Sequence, residues 1–160
     1  MRFFLCLGSN IEDRGKNLEK ARTLIKEKGI KILKKSSIYE TEPVDSLPQP
    51  WFYNQVIKVS AGINPIDLLT VIKQIERRMG RKLTTPREPR IIDIDILLAE
   101  KTVVQTEKLE IPHPRMERRN FVLTPFKEIS PDTTHPILRT KIKDLWIKSK
   151  DRSIVKKIKK

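Results

Sequence analysis

The run from Arg90 to Leu98, Arg-Ile-Ile-Asp-Ile-Asp-Ile-Leu-Leu, constrains this chain more than any other segment. Successive side chains of a strand point to opposite faces, so Ile92, Ile94 and Ile96 line one face while Asp93 and Asp95 share the other. Two strand rises place their Cα atoms roughly 6.5–7 Å apart. A strand this apolar belongs inside a sheet, where two like charges on one face are unfavourable without compensation. Hard divalent cations supply it, since neighbouring carboxylates can hold two magnesium ions about 3.5–4 Å apart against phosphate oxygens. A partly exposed strand end whose aspartates pair with Lys or Arg is the bland alternative. Arg90 lies three residues upstream, in a basic loop running from Arg81 to Arg90, and arginines there would neutralise a metal-bound triphosphate.

The rest of the chain supplies a frame for that strand. Leu18, Ala21, Leu24 and Ile25 recur at helical spacing and Gly29 is placed to end their helix. Asn64-Pro65 reads as an N-cap and first-turn proline before the stripe Leu68, Ile72, Ile75 and Met79, with Gly80 closing the helix. Strands are expected at Arg2–Leu7, Ile30–Tyr39, Phe52–Ala61 and Ile91–Leu98, then a ribbon around Val103–Val104 and Leu109–Ile111. Further helices are expected within Phe121–Glu128 and Ile142–Ile147. The order strand, helix, strand, strand, helix, strand predicts an α+β fold, a ferredoxin-like βαββαβ sandwich with a C-terminal hairpin and helical appendix. One domain is expected over residues 1–160, which leaves no room for a second catalytic domain. The linking segments Thr41–Pro50, with three prolines, and Arg81–Arg90, with two prolines and four cationic residues, are long enough to suggest function.

A net charge of +14 implies attraction to polyanions: nucleic acid, a membrane surface or a phosphorylated small molecule. Much of it lies in Lys148–Lys160, for which a solvated or frayed terminus is expected. The apolar run Phe3–Leu7 is far too short to span a bilayer. The single cysteine, Cys6, sits in an apolar strand; it excludes an internal disulfide and suits a buried thiol in a reducing cytoplasm. No phosphate-binding glycine signature occurs, and two histidines with one cysteine assemble no nucleophilic triad. Any phosphoryl transfer would work by positioning and electrostatics.

Six fragments in order carry a family resemblance: Leu7-Gly8-Ser9-Asn10; Tyr39-Glu40-Thr41-Glu42-Pro43-Val44; Gln49-Pro50 with Phe52-Tyr53-Asn54; Ile75-Glu76 with Gly80-Arg81; Arg90 to Leu97; and Pro112-His113-Pro114-Arg115-Met116 with Arg119 and Phe121-Val122-Leu123. From Leu7 to about Pro131 the chain resembles the 6-hydroxymethyl-7,8-dihydropterin pyrophosphokinase family. The resemblance implies transfer of the βγ-diphosphate of ATP to 6-hydroxymethyl-7,8-dihydropterin, with ATP as co-substrate and two Mg2+ ions on Asp93 and Asp95. It implies that Arg81 and Arg90 act beside those aspartates, and that Lys73, Glu76, Lys108, His113 and Arg119 surround the nucleotide, with Ile96 beside adenine. Phe52 and Phe121 would stack on the pterin, Asn54 and Thr41 would meet its hydrogen-bonding edge, and Val44 would touch the same pocket. A cytoplasmic monomer that binds neither nucleic acid nor membrane is the expectation.

Three departures from the family pattern stand out. Arg87-Glu88-Pro89-Arg90 lacks the glycine usual before Pro-Arg, Asp45 stands where many members have glycine, and Lys73 and Lys108 replace other polar or basic groups. The basic loop is expected to move without ligands and to order over bound ATP. The rival readings are a ferredoxin-like basic RNA-binding module and a magnesium-dependent nuclease. Aromatic residues are only 6% of the chain, and two aspartates on a central strand would repel phosphate without metal.

Overall fold

The computed structural model describes residues 1–43, 48–81 and 88–158. Val44 and Asp45, and Lys82–Arg87 with the expected loop closure, lie outside the described residues.

The sheet contains β1 (Arg2–Ser9), β2 (Lys31–Lys35), β3 (Tyr39–Thr41), β4 (Phe52–Ser60), β5 (Asp93–Ala99) and β8 (Val155–Lys157), every pair antiparallel. Its order is β5-β1-β4-β3-β8, with β2 alongside the far end of β4. The strand expected over Ile30–Tyr39 is broken in two. β2 pairs with Ile57–Ser60 and β3 with Phe52–Asn54, both along one edge of β4. At the break the Ser36 hydroxyl accepts the Val56 amide, 3.0 Å, and the Ser36 carbonyl accepts Gln55 Nε2, 2.7 Å, so side chains replace ladder bonds.

Helices α1 (Arg14–Glu27) and α2 (Pro65–Arg78) cover one face. Asp13 caps α1 by accepting the Lys16 amide, and Asn64 caps α2 by accepting that of Asp67. Gly29 and Gly80 take positive φ after the last turns, a conformation a Cβ would penalise. Leu18, Ala21, Leu68, Ile72 and Ile75 are buried against Phe3, Leu5 and Leu7 of β1 and Ile94 and Ile96 of β5. Each fully buried Leu or Ile contributes about 1.5–3 kcal/mol relative to exposure.

The ribbon β6 (Val104–Gln105) and β7 (Glu110–Ile111) follows, then a 3-10 turn at Met116–Arg118, α3 (Asn120–Ile129) and α4 (Ile142–Lys148). The last two helices are no appendix. Val122, Leu123, Phe126, Ile142 and Leu145 form a second core with Phe4, Cys6, Val56 and Leu97 on the opposite sheet face. β1 is therefore buried on both sides, which explains its unbroken apolar run. The basic tail also departs from expectation: β8 extends the sheet beside β3 instead of fraying. No helix among the described residues is long and apolar enough to cross a membrane.

Candidate active site

The register of the central strands builds the site. Tyr39, Asn54, Gly8 and Asp93 form one row across β3, β4, β1 and β5, and Val56, Cys6 and Asp95 form another. Cys6 and Val56 belong to the core beneath α3 and α4, so strand alternation turns Asn54, Phe52, Asp93 and Asp95 toward that same face. Phe121, in the first turn of α3, packs against this core. The partition into two sheet faces therefore gathers Thr41, Phe52, Asn54 and Phe121, the described residues among those expected at the pterin, and both aspartates on one side.

At the Asn54 end of the row, Asn54 is buried and donates Nδ2 to the Thr41 hydroxyl, 2.6 Å. Thr41 is buried too, and pairs with Phe52 across β3 and β4. Gly8 lies between Asn54 and Asp93, and a Cβ built there would fall 2.7 Å from Asn54 Oδ1 and 3.6 Å from Phe52 Cδ1. The row needs a residue without a side chain at that point. Two inter-strand spacings separate Asn54 from Asp93, about 10 Å.

At the aspartate end, the Asp93 carboxylate accepts from Arg81 at 2.8 Å and from Arg90 at 3.2 Å, one oxygen to each. Arg81 also meets Glu76, 2.6 Å. Glu76 is buried in the last turn of α2, accepts the Ile94 amide at 2.9 Å on the outer edge of β5, and pairs with Lys73 at 3.3 Å. The bland alternative, that the aspartates pair with basic neighbours, therefore holds for Asp93. Asp95 differs. Burial, then the charges of Asp93 and Glu76, push its carboxyl well above the usual range, against the opposing pull of Arg119 and Lys73. A cation would relieve that repulsion. Both donors are carboxylate oxygens on one strand face, which suits a hard divalent ion. Among the described residues no cluster of three or more metal-ligating side chains forms, so an ion there would complete its shell from water and phosphate.

Burial, followed by the charge of Arg119, lowers the pKa of His113. Its Nδ1 accepts the Arg115 amide at 3.3 Å, so the ring proton lies on Nε2, a neutral donor. Arg119 stands 5.6 Å from the Phe121 ring centre, and its field reaches Asp95, His113 and Cys6. Burial, with Asp95 and Asp93, pushes the Cys6 thiol well up, which fits a structural role. Two expected positions are less central. The Ile96 side chain is buried in the α1/α2 core, so any contact of that residue with a base would run through the strand edge. Lys108 is exposed at the turn between β6 and β7.

Asn10 has a place in a family fragment of the sequence but no role there. It is buried, and donates Nδ2 to Gln49 Oε1 at 2.9 Å and to the Pro50 carbonyl at 3.0 Å. Its Oδ1 accepts the Arg90 amide at 2.8 Å, and its amide donates to the Arg90 carbonyl. It ties the ends of both long loops to β1. A polar pair, Ser9-Asn10, ending a wholly apolar strand was the available signal.

The Glu76 contacts yield a prediction. Glu76→Ala leaves the Ile94 amide without its acceptor and Arg81 with Asp93 alone. A stability loss of about 2–4 kcal/mol is expected in urea unfolding. A loss below about 0.5 kcal/mol, the range of a surface substitution, would show that the buried network is not structural.

The profile of the 7,8-dihydro-6-hydroxymethylpterin-pyrophosphokinase (HPPK) family matches residues 4–131. A 2-amino-4-hydroxy-6-hydroxymethyldihydropteridine pyrophosphokinase from Bacillus subtilis is 42% identical over 127 residues, 79% of this chain and 76% of that protein. Its counterpart from Aquifex aeolicus is 40% identical over 141 residues, 88% of each chain. The folic acid synthesis protein fol1 of Pneumocystis carinii is 39% identical over 151 residues, 94% of this chain; the chain spans about a fifth (20%) of that relative's length. A solved Plasmodium falciparum HPPK-DHPS with pteroate shares the fold, with a TM-score of 0.74 and 19% identity over 92% of this chain and 42% of that one. The family match takes in β1 from Phe4 onward, both aspartates, Asn54 and all of α3, and the chain belongs to the HPPK family.

Proposed function

We propose that this chain transfers the βγ-diphosphate of ATP to the hydroxymethyl oxygen of 6-hydroxymethyl-7,8-dihydropterin, yielding AMP and the pterin diphosphate for folate synthesis. The observation that carries the reading is the row Asn54–Gly8–Asp93. It sets a buried amide that can read a heterocycle edge about 10 Å from a carboxylate flanked by two arginines, with a bare floor between them. Asn54 and Thr41 hold the pterin edge and Phe52 and Phe121 its faces. The hydroxymethyl oxygen then points toward the aspartates and attacks the β-phosphorus, and the bond to the α-phosphate oxygen breaks to release AMP.

Among the described residues Arg81 and Arg90 bond Asp93, and a triphosphate would compete with it for them. His113 donates through Nε2, and Arg119 and Lys73 add positive charge near Asp95. Lys108 and the strand edge at Ile96 are assigned to the nucleoside end. Asp93 and Asp95 would hold two magnesium ions, which when bound neutralise phosphate charge and polarise the transferred group. The protein's own contribution is alignment and fixed charge. We further read the frame as ferredoxin-like, which the order β5-β1-β4-β3 supports, and the enzyme as a cytoplasmic monomer, which the buried lone Cys6 suits.

Phosphorus NMR of a mixture of protein, ATP, magnesium and the dihydropterin tests the reading. AMP and a pterin diphosphate are expected in equal amounts. ADP with a pterin monophosphate, or ATP consumed at the same rate without pterin, would overturn it.

A further inference from the structure

The tail beyond residue 131, outside the family match, makes contacts that the proposed chemistry does not use. Helix α4 is fixed on α3 by the Trp146 indole, which donates to the Thr124 hydroxyl at 3.0 Å, and by Lys127 over the Trp146 ring. The chain then passes the N-terminus of α3. There Asp151 Oδ2 accepts the Asn120 amide at 2.8 Å, the Asp151 carbonyl accepts Asn120 Nδ2 at 3.2 Å, and Asp151 Oδ1 accepts the Ser153 amide at 2.9 Å. Farther on, Ile154 exchanges bonds with Glu42, and Val155 pairs with Thr41.

Helix α3 needs such help. Its N-cap, Arg119, makes no side-chain capping bond. Pro125, inside the helix, has no N–H to give the Phe121 carbonyl four residues back. The first turn, which carries Phe121, is thus short of bonds from its own helix, and an acceptor from the tail supplies one. Burial works against the charged form of Asp151, but the bonds from Ser153 and Asn120 outweigh it and hold the carboxyl below its ordinary range.

We infer that residues 149–158 form a strap joining two walls of the pterin pocket, the first turn of α3 with Phe121 and strand β3 with Thr41, and that Asp151 is a positioning residue for the pterin. The inference rests on the pterin roles proposed for Phe121 and Thr41. Asp151 touches no reacting atom in this scheme. It acts by fixing where the Phe121 ring stands relative to Asn54. Nucleotide affinity depends less on it, because Arg119 alone among the proposed nucleotide residues adjoins Asn120, while Arg81, Arg90, Lys73 and His113 are held by other contacts.

Calorimetric titration of the full chain with the dihydropterin, and separately with a non-hydrolysable ATP analogue plus magnesium, tests this with Asp151→Ala, Asp151→Asn and Phe121→Ala. Losing a helix-capping acceptor predicts pterin affinity about 5–10-fold weaker in Asp151→Ala, and nucleotide affinity changed less than about 2-fold. Asp151→Asn keeps one acceptor oxygen where Asp151 uses two, for Asn120 and for Ser153, and is expected to recover part of the loss. Amide exchange should quicken at Asn120 in the alanine variant while β1 and β5 keep their protection. Parent-like pterin affinity in Asp151→Ala, with Phe121→Ala weakened, would overturn the strap and leave the pocket assignment standing. Equal loss of both ligands, or no recovery with asparagine, would also overturn it. Unchanged pterin binding in Phe121→Ala would remove the pocket assignment and the strap with it.

Discussion

Asp95→Ala is expected to lower kcat by about 10³-fold or more while the protein stays folded. Asp95 holds a carboxyl that its surroundings resist ionising. Burial, Asp93 and Glu76 all disfavour the charge, and only Arg119 and Lys73 oppose them. No such strain is needed for the fold, because the pairing of Asp95 with Cys6 is a backbone matter. Removing the group should therefore leave stability unchanged or slightly raised. Catalysis should not survive so well. The transferred diphosphate would lose one of the two carboxylates proposed to anchor its magnesium, and Arg81, Arg90 and Arg119 would face an unbalanced site. Stopped-time assays of AMP formation across a magnesium series, beside thermal unfolding, measure both sides of this. Parent-like turnover with an unchanged magnesium optimum would show that Asp95 is not a ligand.

The contrast between Asp93 and Asp95 marks how far local pattern reaches. Alternation along Ile92–Ile96 placed both aspartates on one face, and the caps at Asn64-Pro65 and the closing glycines set the helices. These are near-neighbour effects, in which the side-chain period and a residue's own φ decide the outcome. The alternation ends at Leu98, because β5 bulges: Phe4 pairs with Leu98 and Leu5 with Ile96, so Leu98 joins Leu97 in the second core instead of following Ile96 into the first. Nothing in an Ile-Leu-Leu run signals that slip. The break between β2 and β3 depends on Ser36 meeting Val56 and Gln55, about twenty residues away. Asn10 and Asp151 hold segments separated by dozens of residues, and most of their partners are backbone groups, which look alike everywhere in a sequence. The tail read as solvated because Lys156 and Lys157 are charged, yet a strand at a sheet edge can expose such side chains while its backbone pairs.

Gly8→Ala is expected to weaken dihydropterin binding by about 100-fold or more, while ATP-analogue affinity stays within a few fold. Gly8 is extended like the rest of β1 and does not need glycine for its backbone angles. Glycine is needed for space. The added methyl carbon would stand 2.7 Å from Asn54 Oδ1, a separation that real Cβ atoms do not tolerate, and 3.6 Å from the Phe52 ring. Asn54 has little room to yield, being buried and tied to the Thr41 hydroxyl at 2.6 Å. Moving it breaks that bond and strands buried polar groups, at about 1–3 kcal/mol, before any ligand contact is counted. The methyl would also rise from the floor between Asn54 and Asp93, where the flat pterin is proposed to lie. The aspartate end is spared, because the close contacts fall on Asn54 and Phe52 of β4, and Arg81 and Arg90 are held by Asp93. Calorimetry with each ligand decides the matter. Parent-like pterin affinity would place the heterocycle away from the Asn54–Gly8–Asp93 row, and matching losses for pterin and nucleotide would point to general disruption of β1 instead.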